Sequence, residues 1–334
     1  RPRIMDNVSV TFGDVKAAAQ LVQGRVHRTP ILTSETFNRK FDCKAFFKAE
    51  CHQKTGSFKF RGATHSLLRL PDELKAKGVL TYSSGNHAQA LARAGRELGI
   101  PVVVVMPNDA PEVKKAATDG YGAEIILYDR NEQSREALGQ QIVAQRGLTL
   151  IPPYDHPDIV AGQGTVGLEL AEDVPLLDLV LVCCGGGGLL SGTSIGVHGV
   201  QPKAEVWGVE PEAGDDGCRS FATGEIQTVH NPKTVADGAM TPSLGRLPFS
   251  IIQREVAGMT SVSDQALLQS ALFAWTRMKT FVEPTGALAL AAIWEGKVEV
   301  KGRRVGIVLS GGNADPWRVI DQAREAGVSL ADLQ

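Results

Sequence analysis

Cysteine is scarce: Cys43, Cys51, Cys183, Cys184 and Cys218 are odd in number and show no Cys-x-x-Cys spacing. That excludes a disulfide framework or a zinc knuckle as the source of order and points to a reducing, cytoplasmic setting. No apolar run approaches the roughly 20 residues of a bilayer span, and the start Arg1-Pro2-Arg3-Ile4-Met5-Asp6 lacks a signal-peptide core, so no membrane is expected as a partner. Neither sign of charge dominates. Lys+Arg 35 against Asp+Glu 37 leaves −2, which argues against nucleic acid or an anionic surface as the partner. Low-complexity tracts and repeats of about 20 to 50 residues are also missing, which removes solenoid and linker architectures. What remains is a 334-residue chain, 43% apolar and 22% charged, large enough for one core or two.

Short β-branched runs alternate with amphipathic stretches. Val79 to Tyr82, Val102 to Met106 and Glu124 to Leu127 read as strands; Ala88 to Leu98, Pro111 to Ala117 and Glu132 to Arg146 read as the intervening helices. A second series follows, with strands at Leu177 to Cys183, Glu205 to Val209 and Arg303 to Leu309 and helices at Leu189 to Val197 and Asp264 to Met278. This rhythm predicts two α/β layers with parallel sheets. Pro152-Pro153 and Asp155-His156-Pro157 interrupt it, placing a boundary near 152 to 157.

Three loops at strand ends carry the candidate chemistry. Gly185-Gly186-Gly187-Gly188 separates the run Val180 to Cys184 from an apolar helix. Four glycines there let backbone N–H groups close on an anion at a helix N-terminus, more than a turn requires. The GxGxxG spacing fails, because Gly185 and Gly187 lead to Leu190 and Gly186 and Gly188 to Ser191. GxxxxGK[ST] fails because Thr193 follows Gly192. A nicotinamide enzyme stays open only through Glu210, which ends the next strand where a ribose ligand would sit. Ser83-Ser84-Gly85-Asn86-His87 follows another strand and opens a helix, offering N–H and O–H donors to a carboxylate, although Ser and Asn are also ordinary N-caps. Ser310-Gly311-Gly312-Asn313 ends the last strand. Lys59, in Thr55-Gly56-Ser57-Phe58-Lys59-Phe60, falls in the first turn of a helix running to Leu70 that Thr55 and Ser57 can cap. The helix dipole disfavours its charge there, which tends to lower its pKa. A lone helix lysine is usually solvated; Phe58 and Phe60 favour a functional amine.

Together these segments, in this order from about Val10 to Asn313, resemble the fold-type II pyridoxal-phosphate enzymes, and among them the serine racemase and threonine/serine dehydratase branch. The resemblance implies a tryptophan synthase β-like α/β fold with open, mostly parallel sheets. Residues 1–77 and 153–334 would form a large cofactor-binding domain, and 78–152 a small one closing over substrate. Lys59 would hold pyridoxal 5'-phosphate covalently and act as base at Cα. Phe58 would pack on its ring, Asn86 would bond its 3-hydroxyl, Gly185, Gly186, Gly187 and Gly188 would hold its phosphate, and Ser310 would face the pyridine nitrogen. Ser83, Ser84, Gly85, Asn86 and His87 would bind the substrate carboxylate. The implied activity is a dehydratase, or ammonia-lyase, converting an L-β-hydroxy amino acid of the threonine/serine class to a 2-oxo acid and ammonia. Ser84, where related dehydratases often carry alanine, would be a second base and leaves a serine racemase with side dehydratase activity open. A dehydratase for 3-hydroxyaspartate or phenylserine, or a turnover-free binding protein of the same fold, also stays open.

The same resemblance implies a structural Mg²⁺ or Ca²⁺ at Glu210, Gly214 and Asp216, and a homodimer. Two carboxylates and a carbonyl suit a hard cation, though an acidic turn is usually just solvated. Departures touch the substrate pocket. Pro152-Pro153-Tyr154 stands where relatives commonly have His-Pro, and Asp237-Gly238 runs on into apolar Ala239-Met240. Arg135 could meet a second carboxylate, but its polar surroundings, Asn131, Glu132 and Gln133, favour solvent exposure. The end at Gln334 leaves no length for a regulatory domain, as in the short catabolic dehydratases.

Overall fold

The computed structural model describes residues 9–83, 85–110, 112–129 and 131–333. Ten strands are present among them: β1 (Ile31–Leu32), β2 (Lys44–Ala49), β3 (Val79–Tyr82), β4 (Val102–Pro107), β5 (Glu124–Tyr128), β6 (Thr149–Leu150), β7 (Leu179–Cys183), β8 (Glu205–Pro211), β9 (Gly258–Val262) and β10 (Arg304–Leu309). They form a six-stranded sheet, β1-β2-β10-β7-β8-β9, and a four-stranded sheet, β5-β4-β3-β6. Every pairing is parallel except β1 with β2. β7 is buried at all five positions and β4 at all six, as expected of strands covered by helices on both faces.

The order of strands creates two crevices. β7 passes to β8 on one side while β10 returns to its other side, so the loops after β7 and β10 diverge. In the smaller sheet β4 and β6 flank β3 in the same manner. Such switch points at the carboxyl ends of parallel strands are where α/β sheets admit ligands. The two crevices face each other across one cleft of about 1290 Å³. Helix Lys59–Arg69 lies between the sheets: its Phe60, Ala63 and Leu67 join the core of the smaller sheet, while Gln163 of helix Pro157–Asp173 accepts the Gly62 N–H at 3.0 Å.

That helix is anchored by a buried ionic cluster. Arg61 bonds the carboxylates of Glu50 and Glu169, the latter through Nη2 at 2.7 Å; Lys48 donates to Glu169 at 2.6 Å and to the Thr29 carbonyl at 2.8 Å. Burial alone would push the Glu169 carboxyl up, but Arg61 and Lys48 hold it below the usual range. Two cations thus balance two anions out of water, and each depends on the others.

Several boundaries differ from expectation. Helix Glu112–Gly120 runs three residues past Ala117, and its expected start, Pro111, lies outside the described residues. Helix Arg135–Arg146 begins three residues late because Ser134 caps it. Thr55 and Ser57 do not cap helix Lys59–Arg69. The N-cap is Phe58, without a side-chain bond, and both hydroxyls are buried and unbonded, since Ser57 instead bridges to Gly311. All five cysteines are unpaired. Among the described residues no helix is long and apolar enough to cross a membrane.

Candidate active site

Lys59 stands where both crevices meet. Its Nζ donates to the Pro153 carbonyl at 2.8 Å, lies 5.1 Å from the centre of the Phe58 ring and opens on the cleft. Burial lowers its pKa to about 8, partly offset by the Cys183 thiol. The direction agrees with the sequence expectation; desolvation rather than the helix dipole is the leading cause. A neutral amine is therefore far more accessible here than on a solvated lysine.

The glycine loop after β7 has the form of an anion cradle. Gly187 takes φ 92°, left-handed backbone that disfavours a side chain, and it is the N-cap of helix Gly188–Val200, with no side-chain bond to the first-turn N–H groups. A Cβ on Gly186 would run into the Tyr154 ring. Beside Gly185 the Thr241 hydroxyl is buried and unbonded, an orphaned donor aimed at the same place. At the end of β10, Ser310 is buried in the cleft floor, hydrogen-bonded to the Cys183 thiol, and its carbonyl accepts the Phe58 N–H at 3.0 Å. An amine, an uncapped helix N-terminus, an unbonded hydroxyl and a small polar group at the floor together fit a phosphate-bearing pyridine aldehyde.

On the opposite wall, Gly85 is the N-cap of helix Asn86–Leu98, again without a side-chain cap, and its N–H donates to the Ser83 hydroxyl at 3.2 Å. The first-turn N–H groups beyond it, at Asn86 and His87, suit a carboxylate. Ser84 lies outside the described residues. His87 is buried, with Nε2 3.1 Å from the Ile151 carbonyl and burial lowering its pKa to about 3, so it stays neutral. Asn86 is bound on both sides, by Asn313 of the strand-end loop that the sequence picked out and by Glu283, which it did not.

Arg135 is exposed, as expected, and its Nε pairs with Glu136 at 2.8 Å. Its guanidinium also lies 5.5 Å over the Tyr82 ring and lines the cleft, where Tyr154 stands. The Ser134 cap sets it at the first helical position, at the cleft wall.

The acidic loop after β8 gathers Glu210 and Asp216 away from the cleft. Burial, then the charge of Asp216, raises Glu210 to about 8, and burial raises Asp216 to about 7. Glu210 accepts the N–H groups of Gly217 and Cys218 at 2.9 and 2.8 Å, whereas Asp216 Oδ2 is buried without a partner. No cluster of three His, Cys, Asp or Glu side chains is arranged for a metal among the described residues. An orphaned carboxylate oxygen beside a second buried carboxyl nevertheless fits a hard cation completed by backbone carbonyls and water.

Comparison with known proteins agrees with this geometry. Residues 22–311 match the family described as "Pyridoxal-phosphate dependent enzyme". The chain is 50% identical to a protein of Schizosaccharomyces pombe named "Serine racemase", over 91% of this chain and 94% of that one. It is 48% identical to "L-threo-3-hydroxyaspartate ammonia-lyase" of Saccharomyces cerevisiae, over 92% and 94%. The crystal structure of serine racemase from Dictyostelium discoideum superposes with a TM-score of 0.87 at 41% identity, covering 92% of this chain and 100% of that one.

Proposed function

Since the chain belongs to the pyridoxal-phosphate dependent enzymes, we propose that it is an ammonia-lyase that converts an L-β-hydroxy amino acid to a 2-oxo acid and ammonia, with 3-hydroxyaspartate the preferred substrate. The observation that carries this reading is the pairing of Lys59 at the cleft floor with the Arg135 guanidinium in the cleft wall. Pyridoxal phosphate, when bound, draws electrons from the substrate Cα and makes its proton removable.

Lys59 would hold the cofactor covalently, and its neutral amine would take the proton from Cα. Phe58 would cover the ring, Gly185 to Gly188 with Thr241 would hold the phosphate, and Ser310 would meet the ring nitrogen. A hydroxyl there, unlike a carboxylate, would not hold a proton on that nitrogen, which suits elimination. The α-carboxylate would rest on the first-turn N–H groups of Asn86 and His87 and on the Ser83 hydroxyl that Gly85 N–H holds. Arg135 receives the second carboxylate. Residues 78–152 form the smaller domain and close over the substrate, excluding water.

The reading is tested by supplying L- and D-serine, L- and D-threonine, L-phenylserine and 3-hydroxyaspartate separately to the cofactor-loaded protein and following 2-oxo acid, ammonia and enantiomer composition. Equal 2-oxo acid and ammonia, fastest from 3-hydroxyaspartate, is the expected result. Inversion outpacing elimination would establish the second reading, a racemase using Ser84, which the similarity to a protein named serine racemase supports. Arg135→Ala is expected to raise KM for 3-hydroxyaspartate by about 10- to 100-fold, the worth of charge-assisted hydrogen bonds. Elimination from serine is expected to change by less than about threefold. An equal loss on both substrates would remove Arg135 from side-chain recognition.

The same proposal includes a structural Mg²⁺ or Ca²⁺ held by Glu210, Asp216 and the Gly214 carbonyl, a homodimer, and a reducing, cytoplasmic setting, the last supported by five unpaired thiols. At a hundred times its dissociation constant, Mg²⁺ is expected to stabilise the protein by about 2.7 kcal/mol. A thermal melt with and without the ion reads this, and Asp216→Ala is expected to abolish the difference.

A further inference from the structure

Glu283 is a buried carboxyl that the mechanism above does not use. It sits on the segment after helix Asp264–Thr276 and its own N–H donates to the Gly311 carbonyl at 3.1 Å. A Cβ on Gly311 would occupy the place of Glu283 Oε1, so the glycine exists to let the carboxylate in. That oxygen accepts from Asn86 Nδ2 at 2.8 Å, and the Asn313 backbone N–H donates to the same carboxyl. On the other side of the amide, Asn313 Nδ2 donates to Asn86 Oδ1 at 2.8 Å and to the Thr55 carbonyl at 2.6 Å.

An asparagine amide has two orientations with nearly the same shape, and its neighbours choose between them. Reversed, Asn86 would set its carbonyl oxygen against the Glu283 carboxyl and its NH₂ against the NH₂ of Asn313. The observed orientation spends one N–H on Glu283 and leaves the other free. We propose that Glu283 is a positioning residue: by accepting one Asn86 N–H it fixes the amide so that the second N–H faces the ring oxygen of the cofactor.

The bonds around Asn86 also close a ring through the residues that meet the cofactor. Thr55 and Phe58 lie just before Lys59, Phe58 N–H is held by Ser310, Gly311 holds Glu283, and Glu283 and Asn313 hold Asn86. Two segments outside the strands, one after helix Asp264–Thr276 and one after β10, thereby fix a residue at the start of helix Asn86–Leu98. Burial, then Asp237, raises the Glu283 pKa to about 7 against the pull of Asn86, the Asn313 N–H and Lys114, so the carboxyl accepts the amide bond at some cost in charge.

This inference rests on the family's cofactor and not on the substrate assigned above, so it is tested without substrate. Pyridoxal phosphate is titrated into cofactor-free protein, reading its dissociation constant and the position of the visible band once Lys59 holds it. Glu283→Leu is expected to weaken the cofactor at least tenfold and move the band; Glu283→Gln, which keeps an acceptor, is expected to stay within threefold with the band unmoved. Combining Glu283→Leu with Asn86→Ala is expected to be no worse than Asn86→Ala alone, because both break one unit. An unmoved band in Glu283→Leu, multiplying losses in the double variant, or a Gln variant as poor as Leu would overturn the proposal. Should Glu283→Leu fail to fold, Asn313→Ala releases the other end of the amide: a moved band supports the assignment and an unmoved one overturns it. Serine or threonine proving the better substrate would leave all of these outcomes unchanged.

Discussion

Lys59→Ala is expected to remove the visible absorbance of bound pyridoxal phosphate and to lower elimination by about 10⁴-fold or more, since one change deletes the covalent holder and the base together. The protein itself should fold, because among the described residues Lys59 makes a single side-chain hydrogen bond, to Pro153, and no ion pair. The site's electrostatics add a second signature. An amine lowered to about 8 by burial is neutral in roughly a tenth of molecules at pH 7, against well under a thousandth for an unperturbed lysine. Cofactor capture by the wild-type apoprotein, followed by stopped-flow absorbance, is therefore expected to quicken with pH and level off near 8. A rate still climbing steeply at pH 10 would mean an unperturbed amine. For stability the sign follows from proton counts. Between about pH 8 and the unperturbed 10.5 the folded apoprotein holds fewer protons than the unfolded chain, so raising pH through that window adds stability through this group.

Arg61→Ala is expected to cost about 3–5 kcal/mol of stability, because it leaves Glu50 and Glu169 buried with only Lys48 opposing them. A melting temperature lower by on the order of 10 °C would register it. The compensated variant, with Arg61→Met and Glu50→Gln together, keeps the Lys48–Glu169 pair and should recover much of the loss, since the damage comes from stranded charge rather than from the missing attraction. If the single and compensated variants melt alike, the cluster is not what holds the helix. Arg61 lies two residues beyond Lys59 on that helix, so the single variant is also expected to bind pyridoxal phosphate more weakly.

What the sequence disclosed follows from how local each signal is. Lys59 between phenylalanines, four glycines between a strand and a helix, and the Ser-Gly-Gly-Asn strand end are contiguous, and the structure brings all three to one cleft. Glu283 and Thr241 were not legible. Glu283 sits in the irregular stretch 277–284, and its meaning depends on Gly311 and Asn86, far away in the chain. The Glu283-Pro284-Thr285-Gly286 run ahead of a fully apolar helix was the available sign, since a carboxylate entering a core needs a partner. Thr55 and Ser57 misled because hydroxyls near a helix start usually cap it, while here the backbone turns away to pair with Gly311. For Arg135 the polar composition around it foretold its exposure but not the Tyr82 ring beneath it or its place on the cleft wall, because composition reports on neighbours in sequence only.

The pairing of β2 with β10 sets Ala45 beside Val305, two residues from opposite ends of the chain. A ribosome delivers the first of them long before the second, so the nascent chain must carry β2 with its inner edge open until the last strand emerges. The glycine cradle is complete by then, but Ser310, Gly311 and Asn313 are not yet made. Cofactor loading must therefore wait for β10, and until then the open edge of β2 is an unpaired template for any other strand.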